Sequence, residues 1–327
     1  MLPNKLKAGD QIRVVAPSRS MSIIPEDVRK TATFNLEKLG LKVSFGKHVE
    51  ENDSFNSSST KSRLADLHDA FADPQVKGVF TVIGGFNSNQ LLNGIDWDLI
   101  KKNPKIFCGL SDITVLSNAI YAKTDLVTYS GMHYSTFGQK ILQDYNVNYF
   151  KRCLIESGPF EIKPSEKWSN DSWYKNQDAR KFMINEGWWI LNEGSAKGIS
   201  VGGNLSSFKL LFGTEYMPNL KNSILFLEDD NFTTNDVNEF DRQLQALMYQ
   251  KNFKKVRALL IGRFEIGSGI TRELLTKIIA SKQELKNVPV IANIDFGHTD
   301  PMITFPIGGE VKLNAQKENS FIGVLKH

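Results

Sequence analysis

Cysteine is nearly missing from this 327-residue chain: only Cys108 and Cys153 occur, far apart, so a disulfide framework has nothing to form from. Both are expected as small buried residues, one on a strand and one on a helix. The five histidines (His48, His68, His133, His298 and His327) show no H-E-x-x-H or comparable spacing, which leaves a zinc site without its ligand set. Chemistry without metal or cofactor is expected. No run of about 18 apolar residues occurs, and the opening MLPNKLKAGD lacks the apolar stretch of a signal peptide. Neither a membrane span nor secretion is therefore expected, and cytoplasm is the expected compartment. Charge of one sign is not in excess: 40 Lys and Arg stand against 36 Asp and Glu, a formal +4. The basic clusters KKNPK (101–105) and KNFKKVR (251–257) read as solvated element ends, so no nucleic-acid partner is expected. Internal repeats are lacking too.

What is there is an ordinary globular composition, 41% hydrophobic and 23% charged, in a chain long enough for two cores. Strand-like runs alternate with helical patterns: QIRVVAPS (11–18), LKVSFG (41–46), VKGVFTVIGG (76–85), 105–110 and LVTYSG (126–131) are the strands of the first half. Between them, Pro25-Glu26-Asp27 opens a helix that Gly40 closes. Ser58 or Ser59 caps another carrying Leu64, Leu67, Ala70 and Phe71, and 112–122 forms a third. Such alternation implies α/β: an N-terminal doubly wound, flavodoxin-like parallel sheet over 1–160. From 161 to 195 the pattern dissolves into Pro, Asn, Asp and Ser with four tryptophans, read as a linker and substrate loop. A C-terminal α/β domain follows over 196–327. Its parts are a strand, glycine turn and helix in 196–213, strands at 222–230 and 255–264, a helix at 233–250 capped by Thr234 or Asn235, a helix at 271–283, and a strand at 288–298 ending on His298.

In open α/β sheets ligands bind beyond the carboxyl ends of the strands, and four such ends carry polar residues. Ser111, in CGLSDIT, sits between a strand and a helix, where it serves equally as a nucleophile on an elbow or as a helix N-cap; the second glycine of G-x-S-x-G is absent. The glycines of IGGFNSN (83–89) let a backbone turn its N–H groups toward a ligand, or simply make a turn. Glu228 ends SILFLE beside Asp229 and Asp230, and His298 follows a long apolar run. Ser, Glu and His at strand ends are a set that hydrolases reuse on unrelated folds.

The blocks IRVVAPS, STKSRLADLHDAFADPQVKGVFTVIGGFNSNQLL, CGLSDITVLSNAIYAKT, VGGNLSSFKLLFGT, ILFLEDD and IDFGHTDPM, in this order, resemble the LD-carboxypeptidase family of serine peptidases. VIGGFNSN is similar to the microcin-immunity branch, the MccF-like proteins; the muropeptide-recycling enzymes typically carry Arg where Ile83 stands. The resemblance implies Ser111 as nucleophile, Glu228 as acid and His298 as base, in a homodimer. With it go an oxyanion hole from the backbone N–H groups of Gly85 and Asp112, and substrate contacts from Gly84, Phe86 and Asn87. The substrate implied is a small peptide or peptidyl-nucleotide, an aminoacyl sulfamoyl adenylate in the first instance. The alternatives are the terminal D-Ala of a murein tetrapeptide and, in another class, a binding module without catalysis. An adenine ring wants an aromatic platform; Trp168 and Trp173 are the candidates, with Trp188 and Trp189 expected in the core.

Overall fold

The alternating first half folds into a six-stranded sheet. In the computed structural model, which describes residues 1–141, 143–230 and 236–327, its order is Phe305–Ile307, Thr128–Ser130, Ile106–Gly109, Val76–Thr81, Gln11–Val15, Lys42–Phe45. The five strands of the first half run parallel, and from the Lys42–Phe45 edge they follow the order 2-1-3-4-5, the flavodoxin-like doubly wound arrangement. Helices stand where caps and faces agree. Glu26–Lys38 starts after Pro25 and is followed by Gly40 at φ 86°, a left-handed position that suits glycine. Thr60–Ala72 is capped by Ser59, whose hydroxyl accepts the Ser62 N–H at 3.0 Å, and it buries Leu67, Ala70 and Phe71.

A second sheet has eight strands in the order Phe160–Ile162, Phe321–Lys326, Glu310–Ala315, Gly194–Asn204, Ser223–Glu228, Ala258–Gly262, Val290–Ile294, Trp189–Asn192. Its central four are parallel and its flanks antiparallel. The stretch 161–195 is thus more than a linker: Trp189–Asn192 forms one edge of this sheet, and Lys167–Trp168 pairs with Met183–Ile184. Strands of two to four residues carry no readable period. Nor do the sheets respect a boundary at 196, since Phe305–Ile307 pairs with Thr128–Ser130 in the first.

Three local expectations are corrected. The strand Gly194–Asn204 runs straight through Gly202 and Gly203, where a turn was expected. A Cβ at Gly202 would lie 2.4 Å from the Phe226 carbonyl oxygen, and one at Gly203 would lie 2.5 Å from Thr114 Oγ1, so these glycines serve close approach. The strand before His298 ends at Ile294, just past Asn293 at φ 60°, which puts the histidine on a loop. Lys105 is buried rather than solvated: its ammonium donates to the carbonyls of Ala70 and Asp73, and burial pushes its pKa down to about 8. The expected caps Thr234 and Asn235 lie outside the described residues; the helix itself, Asp236–Met248, buries Phe240, Leu244, Leu247 and Met248.

One apolar cluster joins the sheets, with Phe107, Val115 and Leu116 packed among Val201, Leu225, Phe240 and Leu259. Polar ties fix the join. The Asn118 side chain donates to the Gly202 carbonyl (2.8 Å) and accepts its N–H (3.0 Å), and the Asn204 N–H donates to Thr114 Oγ1 (3.0 Å). Cys108 and Cys153 are buried, free thiols. Among the described residues no helix is long and apolar enough to cross a membrane.

Candidate active site

Ser111 follows the strand Ile106–Gly109 at φ 60° and opens a single 3-10 turn, Ser111–Ile113, that leads into the helix Thr114–Thr124. A non-glycine residue in the left-handed region costs about 1–3 kcal/mol and persists only where its surroundings hold it. Its hydroxyl makes no capping bond; the residue at the helix N-cap is Ile113, without a side-chain bond. Ser111 Oγ instead lies 3.1 Å from His298 Nε2, and His298 Nδ1 lies 2.8 Å from Oε2 of Glu228. Glu228 ends its strand 2% exposed. A Cβ on Gly297 would sit 2.6 Å from Glu228 Oε2, so the residue before the histidine must be small for this loop to close on the carboxylate.

The surroundings of His298 are acidic. Burial works against its imidazolium, but Glu228, Asp230 and Glu265 outweigh it and raise its pKa well above the usual histidine range. Asp230 Oδ2 stands 3.6 Å from Nε2. Burial and neighbouring carboxylates push Asp229 up to about 6; for Asp230 burial and the other acids prevail over His298 and push it up to about 7. A second histidine, His133, is buried with Nδ1 3.0 Å from Thr81 Oγ1, and burial, aided by His298, lowers its pKa to about 3. The two histidines are thus shifted in opposite directions.

Two clamps hold the loop that carries His298. Before it, Asp295 is fully buried and accepts from Arg263 (2.6 Å), from the Ser165 hydroxyl (2.7 Å) and from the Ser165 N–H (2.9 Å). After it, Asp300 accepts from Arg180 (2.8 Å), Gln143 (2.9 Å) and Asn146 (3.0 Å). Arg180 also pairs with Asp171 at 2.7 Å. The irregular stretch therefore grips the histidine loop from both sides.

The glycine loop packs against the serine: a Cβ on Gly84 would fall 2.8 Å from Ser111 Cβ, and one on Gly85 would fall 2.2 Å from Ser18 Oγ. Asp112 contributes more than its amide. Its buried carboxylate accepts from the Ser18 hydroxyl (2.6 Å) and the Ser88 N–H (2.9 Å), tying the turn at Ser111 to both neighbouring loops. Phe86 is exposed and meets Phe55 edge-on at 6.4 Å. Asn87 is buried, with its amide nitrogen donating to Ser57 Oγ (3.0 Å) and its oxygen 3.2 Å from Ser18 Oγ, so its amide ties the loop to its neighbours.

Of the tryptophans, Trp168 has the Arg263 guanidinium 4.9 Å from its ring centre, which covers one face. Trp173 is half-buried against the first-sheet core and edge-on to Tyr174. Trp188 and Trp189 are half-buried at the margin of the core rather than inside it, because Trp189 opens an edge strand and Trp188 immediately precedes it. Sequence reasoning passed over Asp295, Asp300, Arg180, Arg263 and His133. The signal for the first two was present, as acids on either side of the histidine in IDFGHTD. Among the described residues no group of His, Cys, Asp and Glu is arranged to hold a metal ion.

A flavodoxin-like sheet presenting a serine on a strained strand-to-helix turn, with a carboxylate from a second sheet and a histidine from the loop that follows one of its strands, has the architecture of a hydrolase. The chain matches the LD-carboxypeptidase N-terminal domain over residues 12–131 and the LD-carboxypeptidase C-terminal domain over 197–313; it belongs to the LD-carboxypeptidase family and is a serine-type peptidase. The Bacillus subtilis protein named "Putative carboxypeptidase YocD" is 48% identical, covering 100% of both chains. The microcin C7 self-immunity protein MccF of Escherichia coli is 31% identical over 98% of this chain and 94% of its own. Its solved structure in complex with aspartyl sulfamoyl adenosine matches with a TM-score of 0.90 at 30% identity, covering 100% of this chain and 99% of that one. The crystal structure of an MccF-like protein from Bacillus anthracis matches with a TM-score of 0.99 at 52% identity, covering 100% of both.

Proposed function

We propose that this peptidase hydrolyses the amide of aminoacyl-nucleotide compounds, with Ser111, His298 and Glu228 as its catalytic triad. The observation that carries the triad is the unbroken chain of contacts, 3.1 Å from Ser111 Oγ to His298 Nε2 and 2.8 Å from His298 Nδ1 to Glu228. His298 takes the serine proton as Oγ attacks the acyl carbon, then returns it to the departing nitrogen. Water, deprotonated by the same ring, releases the acid and restores the serine. Glu228 fixes the ring's orientation and supports the imidazolium. The N–H groups of Gly85, next to the Gly84 that abuts Ser111, and of Asp112, which follows Ser111 in sequence, receive the developing oxyanion, each donor contributing about 3–4 kcal/mol of transition-state stabilisation.

The nucleotide-linked substrate is favoured by the aminoacyl sulfamoyl adenosine held by MccF over a chain alignable along nearly its whole length. Trp173, with a half-exposed ring on the irregular stretch, is the platform proposed for the base; Trp168 has only one face to offer. The deciding experiment gives purified protein aspartyl sulfamoyl adenosine and, separately, a murein tetrapeptide, and identifies products by mass. Free aspartate and sulfamoyl adenosine are expected. Release of D-Ala alone would reverse the substrate assignment.

A further inference from the structure

The loop after the first strand places Arg19 against the glycine loop. Its N–H donates to the Gly84 carbonyl (3.3 Å), and its Cγ lies 3.0 Å from where a Cβ of Gly85 would be. Gly84 in turn abuts Ser111, so Arg19 stands one residue's width from the serine. Arg19 Nε is sealed from solvent without an acceptor, and its guanidinium makes no ion pair with any described residue. A buried donor left open in a folded protein calls for a specific explanation. Two neighbouring acceptors are already engaged: the Asp112 carboxylate by Ser18 and Ser88, and the Asn87 carbonyl by Arg63. Arg19 therefore carries a guanidinium without an anionic partner among the described residues, and a guanidinium matches the planar or tetrahedral oxygens of an anion.

We propose that Arg19 is the anion-binding residue of this site, holding an oxyanion that the substrate carries beside its scissile amide. This rests on the reading of Ser111 as the point of attack. The anion is either the acidic linkage of an aminoacyl nucleotide or the terminal carboxylate of a peptide, and the test separates them.

The test uses two matched pairs. One is aspartyl sulfamoyl adenosine against the aspartyl amide of 5′-amino-5′-deoxyadenosine, neutral at the linkage; the other is a murein tetrapeptide against its C-terminal amide, neutral at the C-terminus. In Arg19→Met, kcat/KM for the anionic member of one pair falls about 10- to 100-fold relative to its neutral partner, and Arg19→Lys recovers part of the loss. The affected pair names the source of the anion. The same four compounds are titrated calorimetrically into Ser111→Ala and into Ser111→Ala/Arg19→Met, so that binding is read even if the wild type turns over none of them and the proposed activity fails. Preference for an anionic member that vanishes with Arg19 supports the assignment. Equal effects on charged and neutral members, an anionic preference that survives in Arg19→Met, or no binding of either anionic compound overturns it.

Discussion

Ser111 is held in a backbone conformation that suits glycine better than serine, and no helix needs its hydroxyl. Ser111→Ala therefore removes the oxygen proposed to attack and its contact to His298 and little else. Turnover is expected to fall by about 10⁴-fold or more with the melting temperature nearly unchanged. A purified Ala variant with near-normal turnover would show that the serine is not the nucleophile. His298 makes a pH prediction. Its pKa is raised on folding, so the imidazolium's contribution to stability is complete below the ordinary histidine value of 6.5 and is lost as pH climbs through the raised value. Activity runs the opposite way, because only the neutral ring accepts the serine proton. The acid limb of kcat/KM should lie above pH 6.5, and Asp230→Asn, which removes the carboxylate 3.6 Å from Nε2, should move it down. A limb unmoved by that change would contradict the role given to the acidic neighbours.

At the scale of elements, the loop carrying His298 is an irregular segment whose geometry is imposed from outside it. Arg180, its side chain 2% exposed, bridges Asp171 and Asp300, whose side chain is 8% exposed. Removing one partner leaves a buried charge alone, so Arg180→Met is expected to cost about 3–5 kcal/mol in a denaturant titration. Arg180→Met/Asp300→Asn should cost less than the sum of the single changes, because the stranded charge is gone. In both, kcat should fall more than KM rises, since the histidine is displaced rather than the substrate contacts. Additive costs would mean that the two residues do not act as a pair. These clamps also mark the limit of what the chain shows unfolded. Ser111, Glu228 and His298 stood out because each punctuates an apolar run with a residue that has chemistry to offer. Arg180 and Arg263 did not, because the acids they hold on the histidine loop are 120 and 32 positions away and nothing in either local stretch points to them. Gly202 and Gly203 misled for a physical reason: the same absence of a Cβ permits a turn and permits a close crossing of strand on helix, and only the packed structure distinguishes them.

At the scale of the whole molecule, the site exists only because two sheets are locked together, the serine coming from one, the carboxylate from the other and the histidine from the loop that passes between them. Domain matches that stop at 131 and resume at 197 suggest separable halves. The packing argues against separability. The strand Phe305–Ile307 lies in the first sheet, yet its Phe305 stacks on Phe226 of the second at 4.3 Å. Leu116 and Ile120 share one apolar cluster with Leu225 and Leu259, and Asn118 satisfies both the N–H and the carbonyl of Gly202. Opening this join would expose that cluster and strand buried polar groups, at about 1–3 kcal/mol for each unsatisfied group, so neither half retains a complete core. Guanidinium unfolding should accordingly be one transition, coincident by far-UV circular dichroism and by tryptophan fluorescence, because Trp97 packs on the first-sheet side and Trp189 borders the second. Asn118→Ala should lower the midpoint of that transition without splitting it, and should lower kcat further than the stability loss explains, since it loosens Ser111 from its partners. Two separated transitions in the wild type would mean that the sheets fold independently and that the site is assembled by docking.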